Sequence, residues 1–278
     1  SSSQTPCSPG TWQDQSGQTS CIDAEPGHYV PGNASASQEP CPPGSYQPSP
    51  SEDSCLDADP GHYAEEEIRV LLGVGDTISN GALHTCVILD NGSVSCWGDN
   101  YQGQLGNGEY EDRWTPTPTN SLGTGRTAVA IASGDGHTCA ILDDGSVSCW
   151  GYNSDGQLGD GTNTDRHTPT PTSSLGANRT AIAIAVGNSH TCVILDDASM
   201  SCWGGNSDGR LGDGTATNRY EPTPTVSLGA GRTPAAISVG GYTCAIIDNG
   251  SVSCWGHNHD GQLGDGTYVD SWTPTLTS

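Results

Sequence analysis

The chain has 278 residues, and its 32 acidic and 8 basic side chains give a formal net charge of −24. All the basic residues are arginine, and no basic patch is available to displace counterions from phosphate, so we predict no nucleic-acid binding. No run approaches 18 apolar residues, and an anionic membrane would repel this surface, so we predict no membrane insertion. Hydrophobic residues make up 32% of the chain, against 39 glycines and 18 prolines. This balance favours an all-β fold of short strands and turns.

The chain contains 12 cysteines at regular spacings. An even number in repeated positions indicates disulfides and an oxidising compartment, so we predict an extracellular or cell-surface location. The sequence begins without an initiator Met or a signal peptide, and we expect it to come from a longer, processed precursor.

Residues 1–63 hold two copies of one short pattern. CSPGTWQDQSGQTSCIDAEPGHY begins at Cys7, and CPPGSYQPSPSEDSCLDADPGHY begins at Cys41. Each copy has too few apolar residues for a core. Disulfides within the copies, Cys7–Cys21 and Cys41–Cys55, would each stabilise the unit by about 2–4 kcal/mol. Pairing between copies is the alternative, and the lack of a Cys-x-x-Cys pair argues against zinc.

These two copies resemble the ephrin-receptor-like, EGF-like and tumour-necrosis-factor-receptor-like cysteine-rich modules. The resemblance rests on Cys-x-x-Gly-x-aromatic followed by a second cysteine, at Cys7, Gly10, Trp12 and Cys21 and again at Cys41, Gly44, Tyr46 and Cys55. Pro-Gly-His-Tyr stands at 26–29 and 60–63, where those modules usually carry a further cysteine. The resemblance implies a small disulfide-rich stalk, followed by a linker or first strand at 64–77.

Residues 78–278 form a second repeat in four copies. The copies open with HTCVILDNGSVSCWG, HTCAILDDGSVSCWG, HTCVILDDASMSCWG and YTCAIIDNGSVSCWG. Each continues with a loop such as YNSDGQLGDGT and a Thr-Pro-rich segment. A run such as GRTAVAIASG follows the first three copies, and the last copy ends before it.

The opening of each copy predicts a β-hairpin. In the first copy two alternating runs flank a three-residue loop ending at Gly92, which predicts a left-handed glycine and a G1 bulge. Cys86 then lies opposite Cys96, and Ile88 opposite Val94. A non-hydrogen-bonded pair brings Cα atoms to about 4.5 Å, within disulfide reach.

The same cysteine spacing recurs in the other copies, and we predict three more hairpin disulfides: Cys139–Cys149, Cys192–Cys202 and Cys244–Cys254. In the third copy Ala198 replaces the turn glycine. A left-handed alanine should strain that turn by about 1 kcal/mol.

After each hairpin comes Trp-Gly-x-Asn-x-x-Gly-Gln-Leu-Gly. It stands at Trp97-Gly98, Asn100 and Gly103-Gln104-Leu105-Gly106, and recurs from Trp150, from Trp203 with Arg210 in place of Gln, and from Trp255. Over about residues 76–278 the chain resembles the regulator-of-chromosome-condensation repeat family. The resemblance implies β-propeller blades of four antiparallel strands, with Trp and Leu packed between neighbouring blades.

Propellers of that family usually close with seven blades, whereas four are present here. Three arrangements remain open: part of a larger propeller, a tight four-blade closure, or an open arc whose end docks on the next subunit. Exposed sheet edges and blade faces invite association, and head-to-tail contacts that do not close produce a filament.

The candidate catalytic residues are histidines. His84, His137 and His190 share one repeat position, which Tyr242 takes in the fourth copy, so a structural hydrogen-bonding role is expected. His167, His257 and His259 have no recognisable partner in the sequence. We therefore assign no catalytic residue and no metal ligand, and we predict that the chain is not an enzyme.

The loop Asn153-Ser-Asp155-Gly…Asp160 hints at calcium, but it lacks the bidentate Glu of an EF-hand. Asn and Gly shaping a turn is the simpler interpretation. Diffuse calcium binding stays open, and no other cofactor is predicted.

Four sequons offer glycan acceptors: Asn33, Asn91, Asn178 and Asn249. The Thr-Pro-rich segments are either extended spacers or sites of O-linked sugar.

Repeated units in which no single copy carries a distinctive cluster of polar residues are typical of a structural scaffold. We expect a non-catalytic extracellular structural protein that self-associates into a homo-oligomer or filament, such as a surface appendage. The alternative is a secreted module that binds a protein or glycan. The variable aromatic residues Tyr110, Trp114, Tyr220 and Trp272 would serve either role.

Overall fold

The computed structural model describes residues 77–277 and, nearer the N-terminus, residues 7, 11–12, 21–23, 28–30, 37, 39–40, 45–46, 54 and 56–57. The chain divides into two compact units, Ser1–Gly73 and Val74–Ser278. All regular structure in the described residues is β-strand, which confirms the all-β prediction. Within those residues there is accordingly no helix with the length and apolarity needed to span a bilayer.

The first unit contains short antiparallel strand pairs. They are β1 (Thr11–Trp12) with β2 (Ile22–Asp23), β3 (His28–Tyr29) with β4 (Glu39–Pro40), and β5 (Ser45–Tyr46) with β6 (Leu56–Asp57). Thr11 faces Asp23, and Ser45 faces Asp57 in the same register 34 residues later. The sequence repeat is therefore a structural repeat.

One predicted stalk disulfide is present: Cys7 and Cys21 are bonded, with their Cα atoms 5.8 Å apart. The second predicted stalk disulfide, Cys41–Cys55, lies outside the described residues. The sequon at Asn33 and nearly all of the predicted linker also lie outside them.

The second unit consists of four four-stranded antiparallel sheets, here called blades 1 to 4, each with its strands in sequence order. Blade 1 holds β7 (Ile78–Asn80), β8 (His84–Ile88), β9 (Val94–Gly98) and β10 (Arg113–Pro118). Blade 2 holds β11 (Ala128–Ser133), β12 (His137–Leu142), β13 (Val147–Gly151) and β14 (Arg166–Pro171). Blade 3 holds β15 (Ala181–Val186), β16 (His190–Leu195), β17 (Met200–Gly204) and β18 (Arg219–Pro224). Blade 4 holds β19 (Pro234–Val239), β20 (Tyr242–Ile247), β21 (Val252–Gly256) and β22 (Ser271–Leu276).

The blades begin one strand earlier than the sequence copies. The run GRTAVAIASG supplies β11, which pairs with β12 of the next blade instead of closing its own copy. In the same way β7 opens blade 1. The four blades are therefore complete within residues 78–276, although the last sequence copy lacks the run that follows the others.

The hairpin prediction is confirmed in register and turn geometry. Cys86 pairs with Cys96 and Ile88 with Val94, and Gly92 has φ 74°. The structure contains the four predicted hairpin disulfides, each with Cα atoms 4.1 Å apart: Cys86–Cys96, Cys139–Cys149, Cys192–Cys202 and Cys244–Cys254. Ala198 adopts φ 60°, the left-handed conformation expected to strain its turn.

The Thr-Pro-rich segments form the outermost strands, so they are extended but hydrogen-bonded into the sheets. In blade 1 the strand pairs Arg113 with Gly98 and then, after a shift of register, Thr117 with Cys96. An outermost strand needs no N–H donors on its free side, which is why proline is tolerated there.

The core lies between successive blades. Leu105 of blade 1 and Trp150 of blade 2 share one buried cluster, and Leu158 shares another with Trp203. Leu211 and Trp255 repeat the pattern between blades 3 and 4. This confirms the predicted packing of Trp and Leu between neighbours.

Candidate assembly interface

Each blade covers the tryptophan of the next blade with its glycine-rich loop. Trp150 is fully buried, and a Cβ on Gly106 of blade 1 would lie 2.8 Å from its indole ring. The backbone carbonyl of Gln104 accepts hydrogen bonds from Trp150 Nε1 at 2.9 Å and from Thr138 Oγ1 at 3.0 Å. Only glycine allows this approach.

A buried histidine joins each pair of blades. His84 Nε2 lies 2.7 Å from Thr138 Oγ1 of the next blade. The equivalent pairs are His137 with Thr191 at 2.9 Å and His190 with Thr243 at 2.7 Å. Burial lowers the pKa of His84 from 6.5 to about 4, and burial, reinforced by His84, lowers the pKa of His137 to about 3. These imidazoles are therefore neutral near pH 7.

In each histidine–threonine pair the two side chains are as close as a general base and its nucleophile would be. The proton, however, is donated by the histidine to the threonine, which is the opposite of what catalysis requires. Thr138 donates its hydroxyl proton to the Gln104 carbonyl, which has no proton of its own. His84 must then donate through Nε2–H to the threonine oxygen. A general base would have to accept that proton, so the arrangement is structural.

Among the described residues, no blade precedes blade 1, and the side of blade 1 away from blade 2 is called the leading face, defined by Thr85, Trp97 and Trp114. Trp97 is half-buried, whereas the equivalent tryptophans of the later blades are fully buried. Trp114 is 92% exposed. Its counterpart in blade 4, Trp272, packs against Gly209 of blade 3. A Cβ on Gly209 would lie 2.3 Å from the Trp272 indole.

The opposite side of blade 4 is called the trailing face, defined by Gly240, Gly261 and Gln262. A Cβ on Gly240 would meet nothing within 4 Å, whereas one on Gly187 would collide with the Gly240 carbonyl at 2.4 Å. A Cβ on Gly261 would have its nearest contact at 3.6 Å, in Tyr268. The trailing face therefore presents open space where the earlier blades hold a neighbour.

The loops suspected of binding calcium are closed by their own hydrogen bonds. Asn153 is fully buried and donates to Asp160 Oδ1 at 3.2 Å, while Arg166 Nε donates to Asp160 Oδ2 at 2.7 Å. The guanidinium thus occupies the place beside the carboxylate that a cation would take. In blade 4 Ser271 replaces this arginine.

The three described sequons lie at exposed loop positions, namely Asn91, Asn178 and Asn249. In Asn91 the side-chain oxygen accepts bonds from Ser93 N at 3.0 Å and Ser93 Oγ at 2.7 Å. Asn249 and Ser251 repeat this arrangement. Among the described residues no hydrogen bond uses the side-chain nitrogen of Asn91 or Asn249, the atom that would carry a glycan.

The structure also brings together three residues that sequence reasoning left apart. His257, His259 and Asp270 place one ligand atom each within 4.8 Å of one another. His-x-His was a visible local signal, but Asp270 lies 11 positions beyond His259, immediately before β22, and the intervening loop brings it beside the two histidines.

Two family models, both described as "Regulator of chromosome condensation (RCC1) repeat", match segments of this chain between residues 77 and 210. One model covers 91–141 and 144–194, and the second covers 77–104, 128–157 and 181–210. The ultraviolet-B receptor UVR8 of Arabidopsis thaliana is 33% identical over 71% of this chain and 44% of its own length. The human E3 ubiquitin-protein ligase HERC2 is 29% identical over 72% of this chain and 4% of its own length. The chain spans less than half the length of these curated relatives.

Solved structures show the same fold. Human WBSCR16 superposes with a TM-score of 0.64 at 23% identity, covering 73% of this chain and 52% of that one. Yeast RCC1 (Prp20), solved with Kap60, superposes with a TM-score of 0.61 at 20% identity, covering 72% and 48%. Residues 77–141 and 144–210 of this chain therefore carry regulator of chromosome condensation repeats, and the second unit has the fold of these solved structures.

Proposed function

We propose that this chain is a non-catalytic extracellular structural protein whose copies assemble end to end. The observation that carries the proposal is that the leading and trailing faces are the two halves of an interface that the chain builds three times between its own blades. The threonine and tryptophan of that interface occur on the leading face, and the glycines and carbonyl that receive them occur on the trailing face.

Each contact of the proposed junction has an internal precedent. Trp114 would pack on Gly261 as Trp272 packs on Gly209. Thr85 and Trp97 would donate to the carbonyl of Gln262, as Thr138 and Trp150 donate to that of Gln104. In the isolated chain Thr85 instead donates to the Asn80 side chain at 3.1 Å.

The junction would differ from the internal interfaces at one position. Tyr242 stands where blades 1 to 3 carry the buried histidine, so a phenol hydroxyl replaces the imidazole N–H as donor. Because the two faces differ from each other, the contact is heterologous. Such contacts propagate into rings or filaments instead of stopping at a dimer.

An extracellular setting is proposed on covalent grounds. Five disulfides in the described residues, four of them locking hairpins, form in oxidising compartments. We further propose that residues 1–63 are a stalk of the ephrin-receptor-like or EGF-like kind, and that the exposed sequons carry glycans. The net charge of −24 keeps the chain soluble but makes copies repel one another, so assembly requires cations that screen this charge.

The test uses the full chain, secreted through an oxidising pathway, in sedimentation velocity over a range of concentrations. The wild type should sediment faster as concentration rises. Trp97→Asp combined with Trp114→Asp blocks the leading face. Gly261→Asn blocks the trailing face, because asparagine tolerates its φ of 77° and fills the space.

Both blocked proteins should stay monomeric alone and form a one-to-one dimer when mixed, since each retains one intact face. Tyr101→Asp is the matched control, because Tyr101 is 82% exposed and its equivalents are serines in blades 2 and 3. It should assemble like the wild type. A monomeric wild type, or blocked variants that assemble normally, would reject the proposal.

A second candidate function is a secreted module that binds a protein or glycan. The exposure of Trp114 favours it, because an indole left almost wholly in water is an ordinary feature of a binding surface. It would be preferred if the wild type stays monomeric while its tryptophan fluorescence changes with a candidate glycan and Trp114→Asp abolishes the change.

A further inference from the structure

We propose that His257, His259 and Asp270 form a site for a transition-metal ion of the Zn²⁺ type in blade 4. The ligand atoms of the three residues lie within 4.8 Å of one another. The His257 and His259 rings are stacked edge to face with centroids 4.5 Å apart. Two imidazoles and a carboxylate form a donor set suited to Zn²⁺, and water would complete the coordination.

The distances fit a site that closes by side-chain rotation. His259 Nε2 lies 3.7 Å from Asp270 Oδ2, and His257 Nδ1 lies 3.9 Å from Asp270 Oδ1. Tetrahedral zinc with bonds of about 2.0–2.1 Å needs ligand atoms about 3.3 Å apart. His259 is 70% exposed and therefore free to turn by that amount.

The backbone already holds the carboxylate in position. Asp270 Oδ1 accepts the backbone N–H of Asn258 at 2.7 Å, and Asn258 lies between the two histidines. The oxygen Oδ2 is left to face His259. A ligand whose second oxygen is hydrogen-bonded is oriented before the metal arrives.

The other blades show that this cluster is not required for folding. Their equivalents of the two histidines are Asp99 and Tyr101, Tyr152 and Ser154, and Gly205 and Ser207. The carboxylate position does have a structural role, which Asn218 performs in blade 3 by accepting Asn206 N at 2.9 Å. Asp270→Asn should therefore keep the loop intact and remove only the charged ligand.

The test is calorimetric titration of chelator-treated full-length protein with ZnCl2. The wild type should bind one Zn²⁺ per chain at a site well separated in affinity from weak binding to surface carboxylates. His257→Ala, His259→Ala and Asp270→Asn should each weaken that site at least about tenfold. His167→Ala, which removes a histidine of blade 2 outside the cluster, should bind as the wild type does.

Co²⁺ titration gives a second readout, because a visible absorption band from imidazole coordination should appear in the wild type and disappear in His257→Ala. Near-ultraviolet circular dichroism checks that each variant is folded. Unchanged zinc affinity in both histidine variants, or no separable site in the wild type, would overturn the proposal. All three ligands belong to one chain, so zinc binding can be measured on a protein that does not assemble, and failure of either proposal is distinguishable from failure of the other.

Discussion

Acid should destabilise the second unit well above the pH at which its carboxylates titrate. His84 and His137 are buried between blades, and burial lowers their pKa from 6.5 to about 4 and about 3. Below pH 6.5 these histidines bind protons in the unfolded chain but stay neutral in the folded chain, so the free energy of unfolding falls as pH falls. Each histidine accounts for about 2 kcal/mol between pH 7 and pH 5, and the loss for His84 reaches about 3 kcal/mol below pH 4.

The carboxylates do not obscure this window. The Ser146 hydroxyl lowers the pKa of Asp144, and the Ser199 hydroxyl lowers that of Asp197, each from 3.8. A depressed carboxylate pKa stabilises the fold above the unfolded value, and that contribution is lost only as pH falls below about 4. Changes between pH 6.5 and pH 5 therefore report on the histidines.

The assay is urea unfolding of the disulfide-intact protein at pH 7, 6 and 5. The wild type should lose about 4 kcal/mol over this range from His84 and His137, and more in total, because burial also holds the pKa of His190 well below 6.5. His84→Gln removes one titrating ring and keeps an N–H donor, so its loss should be about 2 kcal/mol smaller, while His167→Gln should behave as the wild type does. Equal pH dependence in wild type and His84→Gln would refute the reasoning.

Two turn substitutions test backbone geometry. Gly159 and Gly231 have nearly the same φ (66° and 68°), but only a Cβ at Gly159 would meet Trp203, at 2.6 Å. Gly159→Ala should therefore lower the free energy of unfolding in urea by at least about 2 kcal/mol more than Gly231→Ala does. Equal losses in the two variants would contradict the packing. Ala198→Gly should stabilise by about 1 kcal/mol, since φ 60° is strained for alanine; a loss of stability would show that no strain is present.

Local features of the second unit could be predicted from the sequence. The hairpin register and its disulfides follow from alternation, a three-residue turn and a cysteine spacing of 10, all within residues 86–96. A strand period of 2 leaves one register in which the apolar side chains share a face. The Trp–Leu packing between blades followed from the family resemblance.

Contacts between distant residues could not be predicted in the same way. His84 reaches Thr138, 54 positions away, and nothing local in the sequence names that partner. The blades begin one strand before the sequence copies, and the sequence could not show this because a repeat has no intrinsic starting point. The Thr-Pro-rich strands could not be predicted because proline argues against a strand unless that strand is known to lie at the edge of its sheet.

The most direct test of end-to-end assembly is a site-specific photocrosslink. A benzophenone amino acid in place of Trp114 should, on illumination of a mixture of isotope-labelled and unlabelled chains, join position 114 of one copy to the segment around Gly261 of another. Mass spectrometry identifies the joined peptides and shows whether they come from different copies. Adducts confined to a single chain, or to surfaces away from the trailing face, would contradict the account.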